Sequence, residues 1–200
     1  MVHLSIPFVV SNSPVALASH FPSASHKMDL RYPIGPFKRP ASLTAAERRA
    51  AIDDIAAAPA KLRAAVHGLS ESQLETPYRP DGWTVRQVVH HVPESHFNAY
   101  TRFKLALTED HPTIKPYDEN AWAKTADVRS TPIETSLVLL ESLHDRWVRL
   151  LESVSAAEFD RTLNHPENGV MSLHQVLALY QWHGKHHVAH VTALRERNGW

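Results

Sequence analysis

Seven of the chain's 15 histidines fall in two short segments, residues 90–96 and residues 183–190. The second of these segments lies in WHGKHHVAHV, which starts at position 182 and places four histidines in eight positions of an otherwise aliphatic stretch. Imidazole nitrogens are common ligands of divalent metals. The clustering therefore indicates one of three arrangements: a solvated polar face, a set of core histidines, or a metal site.

Helical spacing separates the four histidines of the second segment. An apolar stripe is formed by Leu173, Val176, Leu177, Tyr180, Val191 and Leu194. On a helix, His187 falls about 20° from the centre of that stripe and His183 about 60°. His190 lies about 80° away and His186 about 120°, so His186 is predicted near the solvent side. His183 and His187 are one turn apart and can share a cation inside a bundle.

The first histidine segment leaves the third ligand open. His90 and His91 lie about 100° apart on a helix, so at most one of them points at a given centre. They are displaced by similar angles on opposite sides of a valine stripe, and His96 lies on the stripe itself. Periodicity does not choose among these three. The alternative to a metal site is a group of buried, hydrogen-bonded core histidines.

Composition limits the classes of function. With 200 residues and 43% hydrophobic content, the chain can form one domain with a substantial core. The 21 basic and 21 acidic residues cancel, so no basic field is available to attract nucleic acid or a membrane surface. Cysteine is absent, and any metal must bind nitrogen or oxygen. No apolar run reaches the roughly 18 residues of a membrane span, and we expect a cytoplasmic protein.

Capping signals predict where four main helices begin. The paired residues are Thr44 with Glu47, Thr84 with Gln87, Thr131 with Glu134, and Ser172 with Gln175. Pro59 should divide or kink the first helix, and Pro93 should bend the second. In the Thr131 signal, Pro132 is predicted at the first helical position.

The remaining segments are predicted to be connections and a leader. Residues 108–130 have weak periodicity and form a long crossover between the second and third main helices, and NHPENGVMS at 164–172 is predicted as a turn without strands. The fold class is therefore all-α, a four-helix bundle. Residues 1–28 lack helical or strand periodicity and are predicted to be a disordered leader or a misassigned start, with the folded domain at 29–200.

Several motifs carry a family resemblance. GWTVRQVVHHVPESH at 82–96 and WHGKHHVAHV resemble the DinB/YfiT family of metalloenzymes, most closely its YfiT branch of metal-dependent hydrolases and bacillithiol transferases. Further matches are YPIGPF, RFKLALTED, PYDENAW and RNGW, so the resemblance spans about residues 30–200. It implies a DinB-like four-helix bundle, a homodimer and one divalent metal per subunit, with zinc expected and nickel as the alternative.

The resemblance also implies a ligand set. The family takes one histidine from a VR-x-x-V-x-H segment and two from H-x-x-x-H on the last helix, and these positions map to His91, His183 and His187. This sequence departs from the family in having Pro93 where alanine is more usual.

Three neutral ligands leave a divalent metal with an open position, which is typical of a catalytic site. Activation of bound water gives hydrolysis. We therefore predict a metal-dependent hydrolase acting on a small molecule. The alternative is a metal-dependent S-transferase that conjugates a low-molecular-weight, bacillithiol-like thiol to electrophiles. A second alternative is a non-catalytic dimeric helical scaffold.

Other residues are candidates for the surroundings of the site. Glu94, three positions after His91, and also His190 could contact the ligand histidines, although Glu94 on a solvated helix face is the competing interpretation. No glutamate is placed like that of H-E-x-x-H, so the general base is unidentified. Trp83 and Trp182 are predicted as core or pocket aromatics. Crossover residues that could line the pocket, with roles in a surface loop as the equal alternative, are Asp118, Glu119 and Trp122.

Overall fold

The computed structural model describes residues 29–200, so the predicted leader at 1–28 lies outside the described residues. Within this range the elements in chain order are α1 (Ala45–Val66), α2 (Glu71–Leu74), α3 (Val85–Thr108), α4 (Glu119–Trp122), α5 (Ala126–Ser130), α6 (Ile133–Ser153), a 3₁₀ turn (Glu158–Asp160), β1 (Thr162–His165), β2 (Gly169–Ser172) and α7 (Leu173–Asn198). No helix in this range is long and apolar enough to cross a membrane.

Three predicted helix starts are confirmed by reciprocal hydrogen bonds. Thr44, Thr84 and Ser172 each accept from the backbone N–H three residues on, and the Glu or Gln at that position accepts from the backbone of the capping residue. Each capping box pairs two backbone N–H groups, that of the capping residue and that of the third helical residue. The latter has no acceptor within the helix. The local sequence therefore sets where α1, α3 and α7 begin.

The predicted start of α6 is wrong by one residue, and its cap is of a different kind. The backbone N–H of Thr131 donates to the carbonyl of Asp127, which makes Thr131 the end of α5. Pro132 takes the N-cap position of α6 without a side-chain hydrogen bond. Competition from the preceding short helix explains the difference.

The four long helices form the predicted bundle. Helices α1 and α3 each pack on α6 and on α7, so α1 lies across the bundle from α3. The crossover between α3 and α6 is also as predicted, and it contains the short helices α4 and α5. In a bundle of antiparallel helices joined by short loops, consecutive helices are adjacent. Here the consecutive long helices α1 and α3 are diagonal, so the bundle has a different topology.

The bundle core is divided into two apolar clusters. One is centred on Phe103, Trp147 and Leu177, and the other on Val88, Leu140 and Val191. The long helices contribute polar side chains at the levels between these clusters, and three of them are His96, His144 and His183. A polar layer inside an apolar core requires internal hydrogen-bond partners.

Both helices that contain an internal proline are continuous, so of the two alternatives predicted for Pro59, division of the helix is contradicted, and a kink stays a prediction. Proline has no N–H, so the carbonyl four residues earlier receives no standard helical hydrogen bond. For Pro59 that carbonyl belongs to Ile55, and His144 Nδ1 lies 2.6 Å from it. The missing helical bond in α1 is thus replaced by a bond to a histidine of the polar layer.

The segment predicted as a turn contains a short hairpin. Strand β1 pairs antiparallel with β2, and the buried side chains of Leu163 and Met171 are cross-strand partners. Gly169 has φ of 71°, a conformation that favours glycine. Four-residue strands are too short for alternation to be recognised in the sequence. The hairpin places His165 beside the pocket described below.

Candidate metal centre

Helices α3 and α7 bring His91, His183 and His187 together. One ring nitrogen from each lies within 4.8 Å of the other two. The Nε2 atoms of His91 and His183 are 3.2 Å apart, and the rings of His183 and His187 are separated by 4.5 Å between centroids. The i, i+4 spacing on α7 places these two imidazoles one above the other on the face that meets α3.

The structure shows that His90 and His91, which helical periodicity could not distinguish, face different helices. His90 lies on the side of α3 that faces α6, with its Nδ1 2.7 Å from Ser136 Oγ. His91 lies on the side that faces α7. His96 is fully buried, outside the three-histidine group, and in contact with His183.

Burial keeps the three clustered imidazoles neutral. It lowers the pKa of His91 to about 4. The pKa values of His183 and His187 are held well below the ordinary value, first by burial and then by repulsion from neighbouring histidines. A neutral imidazole keeps the lone pair that a metal ligand requires.

His183 belongs to a hydrogen-bonded chain that crosses the polar layer, here called the internal row: His183, His96 and His144. The carbonyl of Ile55 can only accept, so His144 Nδ1 donates to it. Burial lowers the pKa of His144 to about 4 and leaves it neutral. Its Nε2 therefore accepts from His96 Nδ1 at 2.7 Å, and His96 Nε2 accepts from His183 Nδ1 at 3.1 Å.

The internal row fixes the tautomer of His183. With its proton on Nδ1, His183 directs the lone pair of Nε2 towards His91 Nε2. Two facing nitrogens need a proton or a cation between them, and three neutral nitrogens are a suitable donor set for a divalent metal. Ser95 Oγ also lies 3.3 Å from His183 Nε2. Among the described residues, no fourth histidine or carboxylate joins the group.

The three histidines line a cavity of about 390 Å³, a size that suits a small molecule. Of the two roles predicted for Trp83, a core or a pocket aromatic, the structure shows the second. Its ring centroid is 4.6 Å from that of His91, and its Nε1 donates to Asn120 Oδ1 at 3.2 Å. Trp182 also lines the cavity, and its Nε1 donates to the carbonyl of Gly35. Aromatic rings therefore form part of the wall around the three histidines.

The crossover supplies one of the three residues predicted to line the pocket. Glu119 lines it. Asp118 instead accepts from the backbone N–H of Ala121 and caps α4. Trp122 is 40% exposed and packs on Tyr117, whose own pKa burial raises to about 12. Asp118 and Trp122 thus position the crossover without being part of the pocket wall.

The predicted exposure of His186 is wrong. Its side chain is only 7% exposed because Trp182 stacks on it at 4.2 Å and Tyr32 lies 6.0 Å away. Tyr32 belongs to the segment before α1, which covers the side of α7 that helical geometry assigned to solvent. His186 consequently lines the pocket.

Glu94 and His190 do not contact the three histidines through hydrogen bonds among the described residues. Glu94 is half-buried, which raises its pKa, and it is absent from the pocket wall. His190 does line the pocket, with its Nε2 3.1 Å from the carbonyl of Arg31 and its ring stacked on Tyr78 at 3.9 Å.

Sequence reasoning missed several residues of the site. His144 gave no signal because it is a lone histidine on α6. Arg102 lines the pocket with a buried guanidinium. It could have been found, because it lies 11 residues after His91 and therefore about 20° from it around α3. Tyr180 and His165 complete that end of the pocket.

Comparisons with known proteins identify the family of this chain. A family model described as the DinB superfamily matches residues 54–191. Proteins from Bacillus mycoides (strain KBAB4) and Bacillus cereus (strain 03BB102), each named "Putative metal-dependent hydrolase", are 52% identical over 172 residues, which is 86% of this chain and 99% of each relative.

Two solved structures are similar to this chain. YfiT from Bacillus subtilis, described as "a probable metal-dependent hydrolase with an unusual four-helix bundle topology", has a TM-score of 0.83 and 46% identity over 86% of this chain and 98% of its own. The four-helix bundle protein TT2238 has a TM-score of 0.53 and 18% identity, covering 73% of this chain and 98% of its own, and supports the fold alone.

Proposed function

The chain belongs to the DinB superfamily, and we propose that it is a metal-dependent hydrolase of a small molecule, with His91, His183 and His187 as the metal ligands. The observation that carries this proposal is the convergence of three neutral imidazoles at one wall of a small-molecule cavity. The names of the relatives and of YfiT support the same reaction class.

Zinc is the proposed metal and nickel the alternative. Three nitrogen ligands with one position left for water or substrate are typical of catalytic zinc sites. When bound, the metal would supply Lewis-acid activation of water and of the bond to be cleaved.

The protein's own residues orient and screen this site. The internal row holds His183 so that its Nε2 points towards His91 on α3. Trp83 packs against both His91 and His187, with ring centroids at 4.6 Å and 6.3 Å, and restricts their rotation. Ser95 Oγ, 3.3 Å from His183 Nε2, is placed to hydrogen-bond a water or substrate atom beside the ligands.

The test is hydrolysis with and without metal. Chelated protein is reloaded with zinc or nickel and assayed on a panel of esters and amides. We expect activity only after reloading, and we expect His187→Ala to lose it. His67→Ala, which changes an exposed histidine just after α1 and outside the pocket wall, is the control and should keep wild-type activity.

A parallel assay covers thiol transfer, which remains a prediction from the family resemblance. Monochlorobimane is supplied with several low-molecular-weight thiols and the same protein samples. Metal-dependent conjugation without any ester or amide hydrolysis would contradict the proposal. Hydrolysis that persists in the chelated protein would contradict it as well.

A further inference from the structure

Arg102 is a buried cation without an acidic partner. Its side chain is 8% exposed, and its only hydrogen bond among the described residues runs from Nη1 to Tyr180 Oη at 3.1 Å. None of the ion pairs formed by residues 29–200 includes Arg102. A guanidinium has five N–H donors and stays charged at all physiological pH values, so most of its donors are unused.

The unused donors face the cavity. Arg102 lines it, and none of its nitrogen atoms is among the fully enclosed unpaired atoms of the described residues. A second arginine, Arg86, shows the contrast. It is also buried, yet it is paired with both Glu71 and Glu75. Burying a charge is costly unless it is paired, so the unpaired guanidinium of Arg102 is suited to take its partner from a ligand.

The acids of the cavity wall do not supply that partner. Asp81, Glu119 and Glu167 line the cavity, but all three are exposed and none is within ion-pair distance of the guanidinium. A further neighbour of Arg102 is His165, whose pKa is lowered by burial and then by the charge of Arg102. That end of the cavity therefore combines a buried cation with a neutral imidazole and a tyrosine hydroxyl.

The position of Arg102 relates it to the three-histidine group. Tyr180 bridges the two, because its hydroxyl accepts from Arg102 while its ring centroid is 5.6 Å from that of His183. Arg102 and the three histidines line the same cavity of about 390 Å³. One small molecule can therefore reach both.

We propose that Arg102 binds an oxyanion of the substrate, a carboxylate or a phosphoryl group, while the bond to be cleaved lies at His91, His183 and His187. The second half of this statement rests on the proposed function, whereas oxyanion binding by Arg102 does not. The planar fork of the guanidinium matches two oxygens of either group.

Oxyanion binding is tested first on the chelated, metal-free protein. The thermal midpoint is measured with inorganic phosphate and with succinate, against chloride at equal ionic strength. We expect at least one of the two to raise the midpoint of the wild type, since a ligand of the folded state stabilises it. Their relative effects distinguish the phosphoryl from the carboxylate source. No shift with either anion would overturn the proposal.

Substitutions assign the effect to Arg102. Arg102→Met should weaken anion binding about ten- to a hundredfold, the loss expected for hydrogen bonds to a charged group. Arg102→Lys keeps the charge but loses the planar fork, so its anion affinity should lie between those of wild type and Arg102→Met. Arg129→Met, at an exposed arginine outside the cavity, is the control. Equal anion shifts in Arg102→Met and wild type would overturn the proposal.

Circular dichroism establishes whether each variant is folded. If Arg102→Met fails to fold, Arg102→Lys and Tyr180→Phe decide the matter. Tyr180→Phe removes the one acceptor that residues 29–200 offer to the guanidinium but keeps the ring, so it should retain an anion shift that Arg102→Lys reduces. An anion shift that is identical in Arg102→Lys and wild type would contradict the assignment.

A substrate pair then connects the anion to the reaction. Two esters of equal length, one ending in a carboxylate and the other in a methyl group, are compared with zinc-loaded protein. We expect Arg102→Met to lower kcat/KM for the charged ester by a factor about ten- to a hundredfold greater than for the neutral ester. Metal content, measured on every sample, should not change.

The two proposals fail in different ways. If the protein hydrolyses esters with zinc but Arg102→Met leaves the charge preference unchanged, the oxyanion site is wrong and the hydrolase stands. If anion binding to the metal-free protein depends on Arg102 but no ester or amide is hydrolysed, the hydrolase is wrong and the oxyanion site stands.

Discussion

Two rows of histidines in this bundle differ in how they are bonded. In the internal row, His183, His96 and His144, the hydrogen bonds continue inward until they end on a backbone carbonyl. The second row, here called the wall row, runs along α7 and consists of His186, His187 and His190. In each of these three, Nδ1 is enclosed without a hydrogen-bond partner among the described residues.

The difference shows how a bundle can hold one ligand rigidly and others loosely. A bonded row fixes both the tautomer and the ring orientation of His183. The rings of the wall row are held mainly by stacking, as with His186 on Trp182 and His190 on Tyr78. His96 and His144, which support His183, should therefore contribute more to both stability and metal affinity than His186 and His190, which lie beside His187.

The largest effect is expected where the internal row meets the metal centre. His183→Ala removes a ligand and also leaves His96 Nε2 without its donor. The loss of metal affinity should exceed the roughly 10- to 100-fold cost of removing a residue that only supports a ligand. Competition with a chromophoric chelator measures it. An affinity within tenfold of wild type would break the comparison.

Acid should destabilise the metal-free protein through the internal row. Burial lowers the pKa of folded His144 to about 4 from its ordinary value of 6.5. Between pH 6.5 and pH 4 the unfolded chain therefore binds a proton at this residue that the folded chain does not. The contribution of neutral His144 to the free energy of unfolding is complete above pH 6.5 and is lost as the pH falls to 4, which amounts to about 3 kcal/mol for this group alone. Urea unfolding at several pH values tests this, and a flat profile would contradict it.

Interrupting the internal row away from the metal should have an intermediate effect. His144→Phe keeps the ring volume but leaves His96 Nδ1 and the carbonyl of Ile55 unpaired. We expect the free energy of unfolding to fall by about 1–3 kcal/mol and metal affinity to fall about tenfold. The variant should also show a shallower pH profile than wild type. Unchanged metal affinity would mean that the row does not orient His183.

The matched change in the wall row should have the smallest effect. His190→Phe preserves an aromatic ring on Tyr78 and loses one contact with the carbonyl of Arg31. The expected cost in unfolding free energy is about 1 kcal/mol or less, with wild-type metal affinity. Chemical unfolding and the chelator competition measure both. If this variant matched His144→Phe, the distinction between the rows would be lost.

Local signals explain why the bundle itself could be predicted. Thr84 and Ser172 begin their helices through contacts within four residues, and the apolar stripe of α7 reflects a single helical period. The same period brought His183 and His187 to one face. Such features depend on neighbouring residues in the chain, so the sequence contains enough information to predict them.

Contacts between distant segments explain what could not be predicted. His90 and His91 are equivalent on an isolated helix, and contacts with other helices separate them, namely His90 with Ser136 of α6 and His91 with His183 of α7. His186 is buried by Tyr32, about 150 residues away in the chain. The family resemblance selected His91, which lies in the three-histidine group, but it said nothing of the internal row, which requires the free carbonyl of Ile55, four residues before Pro59.

The most direct test of the account is the metal content of His91→Ala compared with His90→Ala. The two residues are adjacent and equally buried, so the pair controls for the loss of an imidazole from α3. Each variant is loaded with zinc, desalted and analysed by mass spectrometry. The account predicts that His90→Ala retains one metal ion per chain and that His91→Ala retains none. Equal metal content in the two variants would contradict it.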